Sequence, residues 1–149
     1  MKKIPRDDDW FERERLHRAA EGGDINEVER LVNAGSPLNI FDDISYTPLH
    51  YAVRAEHYKV VQLLLSKGAN VNACDFERIG DSPLAVAARG EYPEMVELLL
   101  SHGANPDIPG WMAITARLRA KTRKDEDGHK ILALIERYCP NTHLSERER

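Results

Sequence analysis

The fold is decided by one stretch, Tyr46-Thr47-Pro48-Leu49-His50-Tyr51-Ala52, and by its echo farther along the chain, Asp81-Ser82-Pro83-Leu84-Ala85-Val86-Ala87. The end of the same phrase occurs earlier as Arg15-Leu16-His17-Arg18-Ala19-Ala20. The leucine of the phrase recurs after 33 positions and again after 35. Self-similarity with a fixed period of this size is the signature of stacked structural repeats, each a short supersecondary unit.

A second phrase follows the first each time. It reads Glu27-Val28-Glu29-Arg30-Leu31-Val32-Asn33-Ala34-Gly35, then Lys59-Val60-Val61-Gln62-Leu63-Leu64-Leu65-Ser66-Lys67-Gly68-Ala69-Asn70, then Glu94-Met95-Val96-Glu97-Leu98-Leu99-Leu100-Ser101-His102-Gly103-Ala104-Asn105. Its glycines are also 33 and then 35 positions apart. The third unit therefore carries a two-residue insertion, most simply within residues 76–79.

These two phrases together resemble the ankyrin repeat, over about residues 9–138. The resemblance implies an all-α ankyrin-repeat solenoid of stacked helix-turn-helix units joined by short hairpin loops. We expect one domain over residues 1–149. It divides into an N-terminal capping repeat at 9–42, a second repeat at 43–75, a third at 76–108, a degenerate C-terminal capping repeat at 109–138 and a tail at 139–149.

The residues of the phrases also have a direct physical interpretation. Thr47 and Ser82 are suited to the N-cap, where a hydroxyl accepts a hydrogen bond from the first turn. A proline follows each of them at the first helical position, where a missing N–H costs nothing. The glycine after each second helix suits a left-handed helix end. In the second helix Val60, Val61 and Leu64 form one apolar stripe.

The two ends depart from the repeat pattern. The first helix, expected from about Trp10 to Glu21, is rich in charge and indicates a cap. In the fourth unit, Gly110-Trp111-Met112-Ala113-Ile114-Thr115 takes the place of the first phrase, and the polar segment 117–127 is longer than the expected spacing. We therefore predict an elongated first helix or an extra loop there. A second-helix pattern resumes at 128–136.

Composition places the chain among soluble globular proteins, with 42% hydrophobic and 31% charged residues. A net charge of -4 does not favour nucleic acid as the main ligand. No apolar run approaches the roughly 20 residues that a membrane-spanning helix needs. Asp7-Asp8-Asp9 interrupts the position where a secretory signal would be apolar. We expect a cytoplasmic protein, a monomer on its own, with no membrane partner.

Residue patterns that carry catalysis or metal binding are missing from the sequence. It contains no His-x-x-x-His or Cys-x-x-Cys pair, no glycine-rich phosphate loop and no Gly-x-Ser-x-Gly elbow. Cys74 and Cys139 are expected to be reduced thiols. The resemblance implies structural roles for His17 and His50. Asp7-Asp8-Asp9 is interpreted as a charge cluster at a helix N-terminus, with a calcium site as the alternative. We predict no enzyme, no metal and no cofactor.

A basic cluster, Arg117 to Lys124, supports a remote alternative. It contains Arg117, Arg119, Lys121, Arg123 and Lys124, and three acidic residues follow at 125–127. A polyanion site needs an uninterrupted basic field. A solvated face or a contact with an acidic partner is therefore favoured over nucleic-acid binding.

The resemblance further implies that hairpin loops and first helices form a concave binding face. Aromatic and arginine side chains are enriched at interface hot spots. We expect Phe76 and Trp111 to contact the partner, whereas Ile44 and Ile79 either contact it or fold back. The predicted protein-binding residues are Phe41, Asp43, Tyr46, Arg54, Phe76, Glu77, Arg78, Asp81, Arg89, Trp111 and Met112.

The predicted function is binding of one protein partner through this face. Small stand-alone ankyrin proteins are common in bacteria, and some resemble immunity proteins that cap a cognate toxin enzyme, which gives a narrower hypothesis. A cytosolic regulatory adaptor or scaffold is the alternative to an inhibitor.

Chelation tests the prediction that no metal holds the fold. Excess chelator with reductant should leave the melting temperature unchanged, since a metal-held fold loses most of its stability with its ion. The measurement is thermal unfolding followed by circular dichroism. A drop of several degrees with chelator would show that the prediction is wrong.

Overall fold

The computed structural model describes Phe11 and residues 13–78 and 80–140. The described residues do not include Trp10, the acidic run Asp7-Asp8-Asp9, Ile79 or the tail from residue 141. The expectations about these residues therefore stay predictions. The chain divides into two compact units, Met1–Asn70 and Val71–Arg149. Each is described by itself below. The regular elements of the described residues are helical, which confirms the all-α class.

The helices that begin within residues 15–70 of the first unit are α1 Arg15–Gly22, α2 Ile25–Asn33, α3 Pro48–Arg54 and α4 Tyr58–Ser66. Helix α1 packs on both α2 and α3, and α4 packs on both α2 and α3. The core between them consists of leucines, valines and alanines. Leu16, Leu49 and Leu64 are buried, and Ala20 and Ala52 admit neighbouring helices at close range.

In the described part of the second unit the α-helices are α5 Pro83–Ala87, α6 Pro93–Ser101, α7 Ala116–Thr122 and α8 Glu126–Tyr138, and Trp111–Ala113 form a short 3-10 helix. Helix α5 packs on α6 and α7, while α8 packs on α6 and α7. Its core repeats the same chemistry with Leu84, Leu99 and Ile131 at full burial. None of the helices in the described parts of the chain is both long and apolar enough to cross a membrane.

The helix ends follow the predicted capping. Ser82 Oγ accepts a hydrogen bond from the Ala85 N–H at 3.2 Å. The N–H of Thr47, at the N-cap of α3, donates to Nδ1 of His50 at 3.0 Å. Gly35, Gly68 and Gly103 have φ values of 91°, 99° and 85°, in the left-handed region that favours glycine.

The first helix is shorter than predicted. Phe11 and Arg13 have helical backbone, but Glu14 forms a turn with φ -94° and ψ 4°, and α1 proper begins at Arg15. Leu16 is the first apolar residue of the core that the structure describes.

The predicted irregularity of the fourth unit is wrong. Thr115 is the N-cap of α7 and its side chain accepts from the Leu118 N–H at 3.0 Å. Helix α7 has seven residues, the same number as α3. Arg117 therefore lies in the register of Leu84, 33 positions later. The unit contains no elongated first helix and no extra loop. The phrase is kept, with alanine for proline and arginine for leucine.

Core and loop substitutions should differ sharply in their effect on stability. Leu64→Ala and Leu99→Ala each remove a fully buried side chain and should cost about 2–5 kcal/mol in the free energy of unfolding. Phe76→Ala should change it by no more than about 0.5 kcal/mol, because the ring is exposed. Chemical denaturation of the three variants measures this. A loss for Phe76→Ala as large as that for Leu64→Ala would contradict the assignment of Phe76 to the surface.

Candidate functional site

Three hairpin loops present most of the predicted binding residues, and Phe41, Arg54 and Arg89 lie outside them. We call residues 42–46 hairpin 1, residues 75–81 hairpin 2 and residues 110–114 hairpin 3. Hairpin 1 is closed by hydrogen bonds from the Asp42 N–H to the Tyr46 carbonyl at 2.9 Å and from the Ser45 N–H to the Asp42 carbonyl at 3.0 Å. The Asp42 carboxylate also accepts from the N–H groups of Ile44 and Tyr46 at 3.1 and 2.9 Å.

The aromatic residues near hairpin 1 belong partly to the packing of the first unit. The half-buried Tyr46 ring stacks on His50 at 5.0 Å and meets Tyr51 edge-on at 5.4 Å. Phe41, also half-buried, lies 6.5 Å from His50. These rings therefore have partners within the fold. Asp43 and Ile44 remain exposed, and Ile44 does not fold back.

The side chain of Arg54 packs against two rings of this aromatic cluster. Its guanidinium lies 5.4 Å from the ring centre of Tyr46 and 5.1 Å from that of Tyr51, in cation–π geometry. It also pairs with Glu21 at 3.3 Å. Burial, together with the hydrogen bond that the hydroxyl donates to Asp42, raises the pKa of Tyr51. The guanidinium is thus engaged within the first unit, and its contact with a partner stays a prediction.

Hairpin 2 carries the two-residue insertion at its tip. Asp75 precedes the N-cap Ser82 by seven positions, whereas Asp42 precedes Thr47 by five. The Asp75 carboxylate accepts from the N–H groups of Glu77 and Arg78, both at 3.2 Å. Phe76 is 76% exposed, and its neighbours in the tip, residues 77 and 78, are exposed as well.

Hairpin 3 has the same length and closure as hairpin 1. The Gly110 N–H donates to the Ile114 carbonyl at 3.1 Å, and the Ala113 N–H donates to the Gly110 carbonyl at 3.0 Å. Met112 and Ala113 have φ values of 56° and 59°. Trp111 is 54% exposed and Met112 69% exposed. Two large apolar side chains therefore project from this loop.

Asp81 has a different place from the one predicted. It is only 8% exposed, which leaves its carboxylate little surface for a partner. One oxygen accepts from the Trp111 N–H at 3.4 Å. The other pairs with Arg89 at 2.6 Å and lies 3.7 Å from Arg119. Asp81 and Arg89 are thus partners of each other within the fold, and their direct contact with another protein stays a prediction.

Two arginines of the basic cluster at 117–124 are drawn into the fold, whereas Lys121 and Lys124 are exposed. Arg117 is buried and donates to Asp107 at 2.7 Å, to Glu136 at 2.8 Å and to the Cys139 carbonyl at 2.8 Å. Arg123 donates to Asp125 at 2.9 Å and to the Gly90 carbonyl at 2.6 Å. Because a polyanion site needs free cations, this geometry speaks against the nucleic-acid alternative.

Histidines and cysteines have structural surroundings in the described residues. His17 Nε2 lies 2.8 Å from the Ile40 carbonyl oxygen and 3.1 Å from that of Tyr46, so it ties α1 to the next repeat's loop. Burial raises the pKa of the Cys74 thiol, which makes it a poor nucleophile. Among the residues that the structure describes, no group of three or more His, Cys, Asp or Glu side chains is placed to hold a metal ion.

Besides Asp43 and Ile44 in the first unit, the predicted residues that remain exposed lie in hairpins 2 and 3 of the second unit. Hairpins 2 and 3 are neighbours, since Asp81 at the end of one contacts Trp111 in the other. Gly110 is the functional position that the sequence reasoning missed. The available signal was the register, because Asp42 and Asp75 are 33 positions apart and Gly110 follows 35 later, where an aspartate would be expected. The exposed set is Phe76, Glu77, Arg78, Trp111 and Met112.

Comparisons with known proteins agree with this architecture. A family model described as ankyrin repeats (3 copies) matches residues 16–110, more than half of the chain. The ankyrin repeat and KH domain-containing protein mask-1 of Caenorhabditis elegans is 47% identical over 57 residues, which cover 38% of this chain and 2% of that protein.

Two human proteins give similar matches. Ankyrin repeat domain-containing protein 40 is 42% identical over 60 residues, covering 40% of this chain and 16% of that protein. Ankyrin repeat domain-containing protein 39 is 42% identical over 55 residues, covering 37% of this chain and 30% of that protein. The chain thus spans less than a third of each of these relatives.

Titration of Asp125 tests the internal pairing of Arg123. The hydrogen bonds from Arg123 lower the pKa of Asp125 from 3.8 to about 2. Arg123→Gln should move this pKa back up toward 3.8. Stabilisation from the pair is present above the ordinary carboxyl range and is lost as the pH falls through about 2. Carboxyl NMR titration measures it. Glu126, whose pKa Lys130 lowers, is the internal control. An unchanged Asp125 pKa in the variant would contradict the pairing.

Proposed function

We propose that this chain, which belongs to the ankyrin-repeat family, binds one protein partner through the exposed tips of hairpins 2 and 3. Ankyrin repeats are protein–protein interaction modules. The binding needs no cofactor and involves no covalent chemistry. The proposal includes a cytoplasmic location and a monomeric free protein, and sedimentation equilibrium tests the second point.

The observation that carries the proposal is the exposure of Phe76, Trp111 and Met112 on neighbouring loops. Single exposed apolar residues are ordinary on a protein surface, but grouped ones mark interaction sites. Aromatic residues and methionine are enriched at the centres of protein interfaces, where they fill pockets on the partner. In this second unit the tips of hairpins 2 and 3 present all three.

Arg78 is the charged residue that we assign to this surface. Arg54 and Arg89, which are also among the predicted binding residues, are paired within the fold at 3.3 and 2.6 Å with Glu21 and Asp81. Moving Arg89 away to reach a partner would leave the nearly buried Asp81 carboxylate with one cation fewer, at a cost. Arg78 is exposed beside Phe76. Its guanidinium fork suits a carboxylate or a carbonyl at the rim of the interface.

The proposed biological role takes one of two forms, and the effect of this chain on the activity of its partner distinguishes them. In the inhibitor form, the immunity hypothesis, the protein covers the active site of a cognate toxin enzyme and abolishes its activity at equimolar concentration. In the adaptor form the partner keeps its activity and the complex recruits a second protein. Activity of the partner, measured with and without this chain, separates the two.

Substitution at the tips should weaken binding. The partner is first captured from the host with this chain as bait and identified by mass spectrometry. Trp111→Ala and Phe76→Ala should each reduce its affinity at least about tenfold, which corresponds to about 1.4 kcal/mol. The measurement is isothermal titration calorimetry with the purified partner.

The matched control is Tyr138→Ala, which removes a partly exposed aromatic ring from helix α8. Binding should be unaffected by this change. Circular dichroism checks that each variant is folded. If Tyr138→Ala loses binding while both tip variants keep it, the partner uses another surface and the proposal is wrong.

A further inference from the structure

Hairpin 3 lacks the carboxylate that the other two hairpins use to order their tips. In hairpin 1 the side chain of Asp42 accepts two backbone N–H groups, and in hairpin 2 the side chain of Asp75 does the same. The matching position in hairpin 3 is Gly110, which has no side chain. Its tip nevertheless has the closing hydrogen bonds of hairpin 1.

The space above Gly110 is filled by Asp81. A β-carbon added to Gly110 would lie 2.3 Å from Oδ1 of Asp81 and 3.4 Å from its Cγ and Cα. The first distance is far shorter than any contact that a side chain tolerates. The same Oδ1 accepts from the Trp111 N–H. A carboxylate from hairpin 2 thus lies where a side chain at position 110 would begin.

The Asp81 carboxylate is itself held from its other side. Its Oδ2 lies 2.6 Å from the Arg89 guanidinium and 3.7 Å from that of Arg119. A nearly buried carboxylate is costly without such cations, and with them its position is fixed. Charge and burial therefore keep one oxygen of Asp81 directed at hairpin 3.

We propose that Asp81 is a positioning residue that supplies, from hairpin 2, the carboxylate missing from hairpin 3, and that Gly110 is the opening that admits it. The residue acts on the exposed Trp111 and Met112 without contacting the partner. Its relevance to binding rests on the proposed function.

Backbone strain at the tip explains why such a holder is needed. Met112 and Ala113 both have left-handed φ, which non-glycine residues rarely adopt and which costs free energy at each position. A loop released from Asp81 can relax these residues, and Trp111 then samples more orientations. Fixing the loop beforehand lowers the entropy that binding must overcome.

A double-mutant cycle tests the steric half of the proposal. Gly110→Ala should lower the folding equilibrium constant roughly ten- to hundredfold, as forcing a methyl group into an occupied site does. In an Asp81→Ala background the same substitution should cost little, because the clashing carboxylate is gone. Chemical denaturation of the four proteins gives the coupling. Additive effects of the two substitutions would overturn the proposal.

Fluorescence of Trp111 tests the positioning half. Trp10→Phe leaves Trp111 as the only tryptophan. In that background Asp81→Ala should lower the anisotropy of Trp111 and increase its quenching by acrylamide, while circular dichroism stays unchanged. Adding Gly110→Asp to Asp81→Ala should restore both signals by returning a carboxylate to the loop itself.

Asp75→Ala is the control, since it removes the carboxylate of hairpin 2 that serves residues 77 and 78 instead of Trp111. Equal losses of anisotropy in Asp75→Ala and Asp81→Ala, no loss in Asp81→Ala, or no recovery with Gly110→Asp would each overturn the proposal. None of these measurements requires the partner. Failure here therefore leaves the proposed function standing, and failure of Trp111→Ala to weaken binding leaves Asp81 as the holder of hairpin 3.

Discussion

The remaining structure depends on one constraint. In each repeat, a side chain of the first helix must be buried between short helices. Isolated helices shorter than about 12 residues are marginal in water, and α1, α3, α5 and α7 have only eight, seven, five and seven residues. They persist because Leu16, Leu49 and Leu84 are removed from water beside small alanines that allow close approach. Caps, left-handed glycines and hairpin closures all place this one side chain where it can be buried. The loops are thereby presented on a rigid base.

The last repeat meets the same constraint with charge. Arg117 occupies the register of those leucines, and its guanidinium is satisfied by Asp107, Glu136 and the Cys139 carbonyl. Asp107 in turn lies in the register of Asn39 and Asn72. The side chains of these asparagines accept hydrogen bonds from the backbone N–H groups of Asn70 and Asn105, one repeat later, at 2.8 and 2.7 Å. A buried arginine is acceptable only when all its donors are paired, and here partly exposed carboxylates provide the pairing.

Much of this architecture follows from the sequence, because capping, glycine conformation and apolar periodicity are local. Thr47, Ser82 and the three glycines are placed by chemistry within a few residues of themselves. The register of the last unit was missed because Ala116 and Arg117 replace the proline and leucine of the phrase, although Thr115 and Ala120 keep their places. The pairing of Arg89 with Asp81 joins residues eight positions apart, and that of Arg54 with Glu21 joins residues 33 positions apart. Periodicity carries no information on such pairs.

In hairpin 2, the residue that orders the backbone is not one of the residues that project into solvent, and this has an evolutionary consequence. The backbone of its tip is fixed by one side chain, Asp75, whereas Phe76, Glu77 and Arg78 project into solvent. Substitutions at these three positions leave the core and the loop closure intact, so natural variation can accumulate there without loss of the fold. Exchange of these three side chains therefore changes the chemistry of the exposed tip without altering the residue that orders it.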